Sequence, residues 1–303
     1  MTFLSLFVVI PVLMLLALWL ARNDSQVRGV MVVGSVALLA LSIYLVFAFL
    51  GARETMPAEQ YPFLFGDAIP WFEPLNIFYR TGVDGIAVVM ILLSAIIVIT
   101  GTFASWQLHP MQKEYFLWFT LLSAGVFGFF ISEDLFTMFM FYEVALIPMY
   151  LLIGVWGTGP KEYSAMKLTL MLMGGSALLI LGILGIYFFN GHYSGTYTMD
   201  VVAIAQSNAI PVFIQKVFFP FIFIGFGVLG ALFPFHTWSP DGHASAPTAV
   251  SMLHAGVLMK LGGYGCFRVA MFLLPDASRE LCWIFLILTT ISVVYGALSA
   301  CVQ

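Results

Sequence analysis

Glu143 and Lys260 are ionisable residues set deep inside long apolar runs, and that placement points to chemistry. Glu143 follows Asp134 by nine residues, about 13 Å into its run at helical rise and near the middle of a bilayer core. Lys260 stands eleven residues after Ala249, flanked by leucine, methionine and glycine. A charge at that depth costs about 2.5–3.5 kcal/mol even on a lenient insertion scale, so such groups mark ion or proton paths. The competing accounts are structural: a neutral acid hydrogen-bonded between helices for Glu143, a paired or snorkelling amine for Lys260. Neither residue lies within snorkelling reach of the end of its run, which favours a proton path.

The stretch from Gly225 to Gly265, GFGVLGALFPFHTWSPDGHASAPTAVSMLHAGVLMKLGGYG, gathers further polar chemistry between two apolar runs. His254 precedes Lys260 by six residues, and imidazole changes charge near physiological pH, so it suits a relay; a histidine hydrogen-bonded between helices is the alternative. His236 and His243 flank the turn Trp238 to Gly242, which also holds Asp241. No cysteine or tight histidine pair accompanies them, so they are expected to cap helix ends at the interface rather than to hold a metal. Gly262, Gly263 and Gly265 follow Lys260, and glycine lets a spanning helix be interrupted. A broken helix that frees carbonyls and admits water is expected there, a recurring device of ion transporters. Lys167 and Asp84 open the sixth and third runs, where solvated helix ends account for them, and Arg268 is expected to snorkel to the far interface. No Gly-rich phosphate loop, Ser-His-Asp arrangement or haem motif occurs in the sequence.

The elements that position these groups follow from composition. Hydrophobic residues make up 62% of 303 positions and charged residues 9%, with a mean hydropathy of +1.03, which excludes an ordinary soluble domain. The net charge of -4 is spread thinly, with no basic tract for nucleic acid, so the lipid bilayer and partners within it are the expected surroundings. Runs long enough to cross a bilayer number nine: 3–21, 29–50, 85–106, 115–131, 135–156, 168–189, 212–233, 249–273 and 281–302. They are too long for barrel strands and do not alternate, so the fold class is an all-α polytopic membrane protein with a single membrane domain. The connection from Gly51 to Asp84, rich in proline and aromatic residues, suits an interfacial loop folded against helix ends. The loop from Asn190 to Pro211 carries no assignable chemistry. Cys266, Cys282 and Cys301 lie in or beside apolar runs and read as small buried hydrophobes. Basic residues divide into Arg22, Arg28, Lys113, Lys161 and Lys167 on one side and Arg53, Arg80, Lys216 and Arg279 on the other, which places the N-terminus outside.

Three motifs carry a resemblance: GVDGIAVVM at Gly82 to Met90, FYEVALIPMYLLIG at Phe141 to Gly154, and FPFHTWSPDGHASAPT followed by AGVLMKLGGYG. Together they resemble the M-type antiporter-like subunits of respiratory complex I, the NADH:quinone oxidoreductase. Mitochondrial subunit 4 is the eukaryotic counterpart, and subunits of Mrp-type cation/proton antiporters are more distant relatives. The resemblance implies about fourteen spans in two inverted five-helix repeats, each with a broken helix. On that pattern 1–110 holds N-terminal helices and the interfacial loop, 111–273 the first repeat, and 274–303 the start of a second repeat that runs on past Gln303. It also implies a proton-translocating role in a bacterial inner membrane, beside other membrane-arm subunits, with no cofactor in this chain. In the family a glutamate of the fifth span pairs with a lysine of the seventh, and a lysine of the eighth passes protons on. Glu143 and Lys260 match the first and last of these. Leu229 stands at the position of the second, and Ala231 at a family proline. His254 also departs from the M-type pattern, which is apolar there, and is expected to take over part of the relay that Leu229 cannot perform.

Overall fold

In hydrocarbon every backbone N–H and C=O must be satisfied within its own segment, so long apolar runs fold as helices. The structure, a computed structural model, describes residues 3–54 and 63–302. A 3-10 turn, Phe3–Ser5, leads into α1 (Leu6–Leu20), followed by α2 (Asp24–Glu54). After the connection come α3 (Gly85–Ala104), α4 (Gln112–Ile131), α5 (Leu135–Trp156), α6 (Lys161–Ser194) and the short α7 (Val201–Ser207). The chain continues through α8 (Val212–Leu229), α9 (Trp238–Ser245), α10 (Thr248–Leu253), α11 (Met259–Gly265) and α12 (Pro275–Val302). Among the described residues eight helices are long and apolar enough to cross a membrane, so the chain is a multi-pass, all-α membrane protein.

The eighth expected span, 249–273, is helical from 248 to 273 but is divided by π-turns at His254–Leu258 and Cys266–Met271. The interruption expected beside Lys260 is therefore milder than a break. The unwound stretch lies earlier, at 230–237, between α8 and α9. The glycines after Lys260 serve close packing instead. A Cβ on Gly262 would sit 2.5 Å from the carbonyl oxygen of Phe226 and 2.6 Å from the nitrogen of Gly230, whereas Gly263 faces open space. Backbone atoms of α8 cannot move aside as a side-chain tip can, so Gly262→Ala is expected to cost about 1–3 kcal/mol in detergent unfolding and Gly263→Ala nothing measurable.

One part of the connection between α2 and α3 is sheet, which the apolar-run argument did not anticipate. β1 (Leu64–Phe72) pairs antiparallel with β2 (Ile77–Val83) across a 3-10 turn, Glu73–Leu75, and Asn76 closes that turn in the left-handed region at φ 54°. A short run lying outside the hydrocarbon has no need to be a helix. The hairpin does fold against helix ends, as expected: Tyr187 Oη donates to the carbonyl of Leu75, and Asn76 Nδ2 donates to the carbonyl of Tyr197. Pro57 and Pro62 of that connection lie outside the described residues.

The centre of the bundle is α4, whose side chains from Leu122 to Ile131 are all buried. Gly125 and Gly128 let α5 approach it, since a Cβ at either would meet Ala145 or the ring of Phe141. By contrast, α12 buries only Ala277, Ser278 and Phe285.

Candidate proton-relay site

Trp238 opens α9, is fully buried, and donates from Nε1 to the carbonyl of Val228, which fixes α9 under the end of α8. His243, further along α9, is thereby turned inward. Its Nδ1 lies 3.1 Å from Ser251 Oγ of α10 and its Nε2 3.4 Å from Met259 Sδ of α11. The ring stacks on His254 with centroids 4.4 Å apart and planes inclined by 28°. His254 is wholly buried, stacks on Trp238 at 5.2 Å, and has no hydrogen-bond partner on either nitrogen among the described residues. The expectation that His243 caps a helix end at the interface is corrected: the turn at 230–237 folds it back into the bundle beside His254. His236, within that turn, stands apart. It stacks on Phe233 and meets Tyr295 of α12 edge-on at 4.8 Å, with a buried Nδ1 that has no partner among the described residues, so its ring caps no helix either.

Charges flank this pair on both sides. Lys167 Nζ donates to Asp241 Oδ2 at 2.6 Å, and Asp241 lies two residues before His243. Because α6 begins at Lys161, Lys167 lies within the helix and is ion-paired rather than a solvated end. On the other side, Lys260 Nζ donates at 2.5 Å to the carbonyl of Ala255, inside the first π-turn. A π-turn lengthens the hydrogen-bond repeat and makes carbonyls available to side chains, and such turns cluster at functional sites. Lys260 opens onto a cavity of about 800 Å³ between α8, α11 and α12, lined also by Phe226, Gly230 and Phe285.

Glu143 is not brought into this group. It is half-buried on α5, its Oε1 is buried without a partner, and it forms no ion pair among the described residues. Leu229 ends α8 and is buried, so no ammonium stands at the position where the resemblance implies one. Lys216, the lysine at the start of α8, is paired with Glu280 of α12 at the opposite end.

Several residues carry more than sequence reasoning gave them. Asp84 is fully buried, accepts from the Ala87 N–H at 2.7 Å to cap α3, and is ion-paired with Arg268. Tyr264 Oη donates to the same carboxylate at 3.4 Å. This corrects both the solvated helix end and the snorkelling arginine. The capping role was readable from the aspartate before a helical run; the partner, 184 residues on, was not. Near the hairpin, Arg80 pairs with Asp200 at 3.0 Å, so the loop from Asn190 to Pro211 does carry chemistry. In the connection between α4 and α5, burial first and then the Asp200 charge push Glu133 up to about 7, against the opposing pull of Arg80. Burial likewise pushes Asp134 up to about 6, against hydrogen bonds from Thr137, Phe78 and Phe136 and the charge of Arg80. Among the described residues no group of three or more His, Cys, Asp or Glu side chains is placed to hold a metal ion.

The family model described as NADH:quinone oxidoreductase/Mrp antiporter, transmembrane, matches residues 132–303, more than half of the chain. The chain belongs to that family. Members of the NADH:quinone oxidoreductase/Mrp antiporter family similar to it include the NADH-quinone oxidoreductase subunit M of Rickettsia typhi, 32% identical over 99% of this chain and 60% of that one. The NAD(P)H-quinone oxidoreductase chain 4 2 of Thermosynechococcus vestitus is 35% identical over 80% of this chain and 45% of that one. The chain thus spans about half the length of these curated relatives. In fold it is similar to a chain of respiratory complex I from Thermus thermophilus, at a TM-score of 0.82 and 22% identity over 97% of this chain and 58% of that one. It is also similar to a chain of the Mrp complex from Dietzia sp., at a TM-score of 0.79 and 18% identity over 97% and 53%. At those identities the likeness concerns the fold alone. The family match begins at Ser132, so it takes in Glu143, Lys167, the histidine pair and Lys260 and leaves out Arg80 and Asp84.

Proposed function

We propose that this chain is a proton-translocating, antiporter-like subunit of a complex I-type quinone oxidoreductase, working beside other membrane-arm subunits in a bacterial inner membrane. The observation that carries this is the stacked pair of His243 and His254, set between the Lys167–Asp241 ion pair and Lys260. Two imidazoles at that distance do not both carry charge, since like charges in contact disfavour one another, so the pair takes one proton at a time. An ammonium at Lys260 opposes charge on either ring, so Lys260 would first release its proton into its cavity, and the neutral amine would then accept the proton held by the pair. Asp241, held by Lys167, would orient the entry side, and Glu143 would serve as a separate buried acid along the same bundle. Redox chemistry belongs to other subunits on this reading, and quinone reduction there drives the movement of charge here.

His254→Ala tests the reading. In proteoliposomes holding the assembled complex it is expected to lower the rate of proton translocation, at equal rates of quinone reduction, by about 10²-fold or more, the scale of losing one proton-transfer group. Wild-type pumping in that variant would overturn it. A second reading, a subunit of a cation/proton antiporter with no redox partner, is favoured by the family description, which joins the two classes, and by the Mrp fold likeness. Copurification with iron–sulfur and quinone-site subunits separates the two. Leu229 raises a third, a membrane-arm spacer that does not pump. A full proton-to-electron ratio in the wild type, unchanged in Leu229→Lys, would reject the spacer.

A further inference from the structure

Glu133 lies in the short connection between α4 and α5, at the hairpin end of the bundle, and the relay makes no use of it. Its backbone is clamped from two sides: the Glu133 N–H donates to the carbonyl of Arg80, and the Val201 N–H donates to the carbonyl of Glu133, both at 3.1 Å. Its carboxylate fills the notch left by the missing side chain of Gly82, where a Cβ would sit only 1.7 Å from Oε1. The residue is 9% exposed. The charged and titratable groups around it come from four elements. From β2 comes Arg80, paired with Asp200 from the start of α7 and carrying a buried Nε with no hydrogen-bond partner among the described residues. Asp134, next in the chain, caps α5 through Oδ1, and its buried Oδ2 has no hydrogen-bond partner among the described residues. From α11 comes Tyr264, bonded to Asp84, which Arg268 pairs. Tyr264 is one helical turn beyond Lys260, so this cluster and the relay share a helix.

We propose that Glu133 is a second proton-holding site of this chain, which gives up its proton as Arg80 transfers its pairing from Asp200 to Glu133. This rests on the proton-translocating reading above. While Asp200 holds the guanidinium, the Glu133 carboxyl stays neutral in its notch. When the guanidinium turns to Glu133, the carboxyl O–H bond breaks, the proton passes to water at the hairpin side, and the carboxylate left behind takes Asp200's place in the ion pair. One proton leaves, and the number of paired arginines is unchanged. The position of Glu133 near 7 puts both states within working pH. Its value is raised over the ordinary carboxylate range, so the folded chain binds a proton that the unfolded chain has released. Stability therefore falls as pH rises towards about 7 and levels off above it.

The test uses the assembled complex in proteoliposomes, with proton translocation per quinone reduced followed from pH 6 to pH 8, bracketing that value. Wild type is expected to show an inflection near 7; Glu133→Gln, which fills the same notch, is expected to lose the inflection and to pump roughly tenfold more slowly. Gly82→Ala drives the intact carboxylate out of the notch towards water and is expected to move the inflection to lower pH. A wild-type rate and inflection in Glu133→Gln would overturn the proposal, and if that variant fails to assemble, an unmoved inflection in Gly82→Ala would do so. Lys260→Ala is measured alongside. If it pumps normally, the translocating reading fails; if it is silent while Glu133→Gln is unchanged, only the role of Glu133 is lost.

Discussion

Lys260→Ala is expected to lower proton translocation by about 10²-fold, the scale on which a positioned proton donor contributes. Its amine is held by the Ala255 carbonyl in the π-turn, opens onto the cavity, and follows His254 on the same helical stretch. Because the side chain is exposed, the substitution leaves no hole in the core, and the complex should assemble with its quinone reductase activity in uncoupled conditions intact. Lys260→Arg sharpens the point. Guanidinium keeps the charge but does not release its proton in the working range, so pumping should remain lost. Recovery in Lys260→Arg would mean that the residue supplies charge and not a proton.

Arg268→Ala is the second large effect, and it falls on stability. Asp84 is fully buried, and Arg268 from the second π-turn is its ionic partner. Removing one member of a buried pair leaves an uncompensated charge, which costs about 3–5 kcal/mol. Thermal unfolding in detergent should show it as a markedly lower midpoint. The double variant Asp84→Asn with Arg268→Met should recover most of the loss, because asparagine still accepts from the Ala87 N–H as a helix cap and the charge is gone. A wild-type midpoint in Arg268→Ala alone would show that the pair holds nothing together.

The spans were legible in the sequence because hydrocarbon leaves the backbone one local solution, and α5 was bounded as found, from Leu135 to Trp156. What escaped was everything that depends on residues meeting from afar. Asp84 and Arg268 each look like a helix-end charge in sequence, and only the packing of α3 against α10 and the first π-turn, on the helical stretch that carries Arg268, makes them a pair. His243 and His254 are eleven residues apart on either side of the break at 246–247 between α9 and α10, and no helical spacing predicts their stacking. Gly262, Gly263 and Gly265 suggest a breaking point in sequence because glycine permits one. The same lack of a Cβ also permits close approach, and at Gly262 and Gly265 Phe226 and Gly230 occupy that space. The hairpin escaped because its strands, which include Asp67 and Pro70, lie in a loop whose composition signals an interface without naming a structure.

The central claim is that His254 and Lys260 act in one relay, and a double-mutant cycle on proton translocation tests it most directly. His254→Ala, Lys260→Ala and the double variant are compared with wild type in proteoliposomes of the assembled complex, at equal rates of quinone reduction. Groups that act in series are strongly non-additive, so the double variant should pump no worse than Lys260→Ala alone. Losses that simply multiply, or normal pumping in either single variant, would contradict the relay.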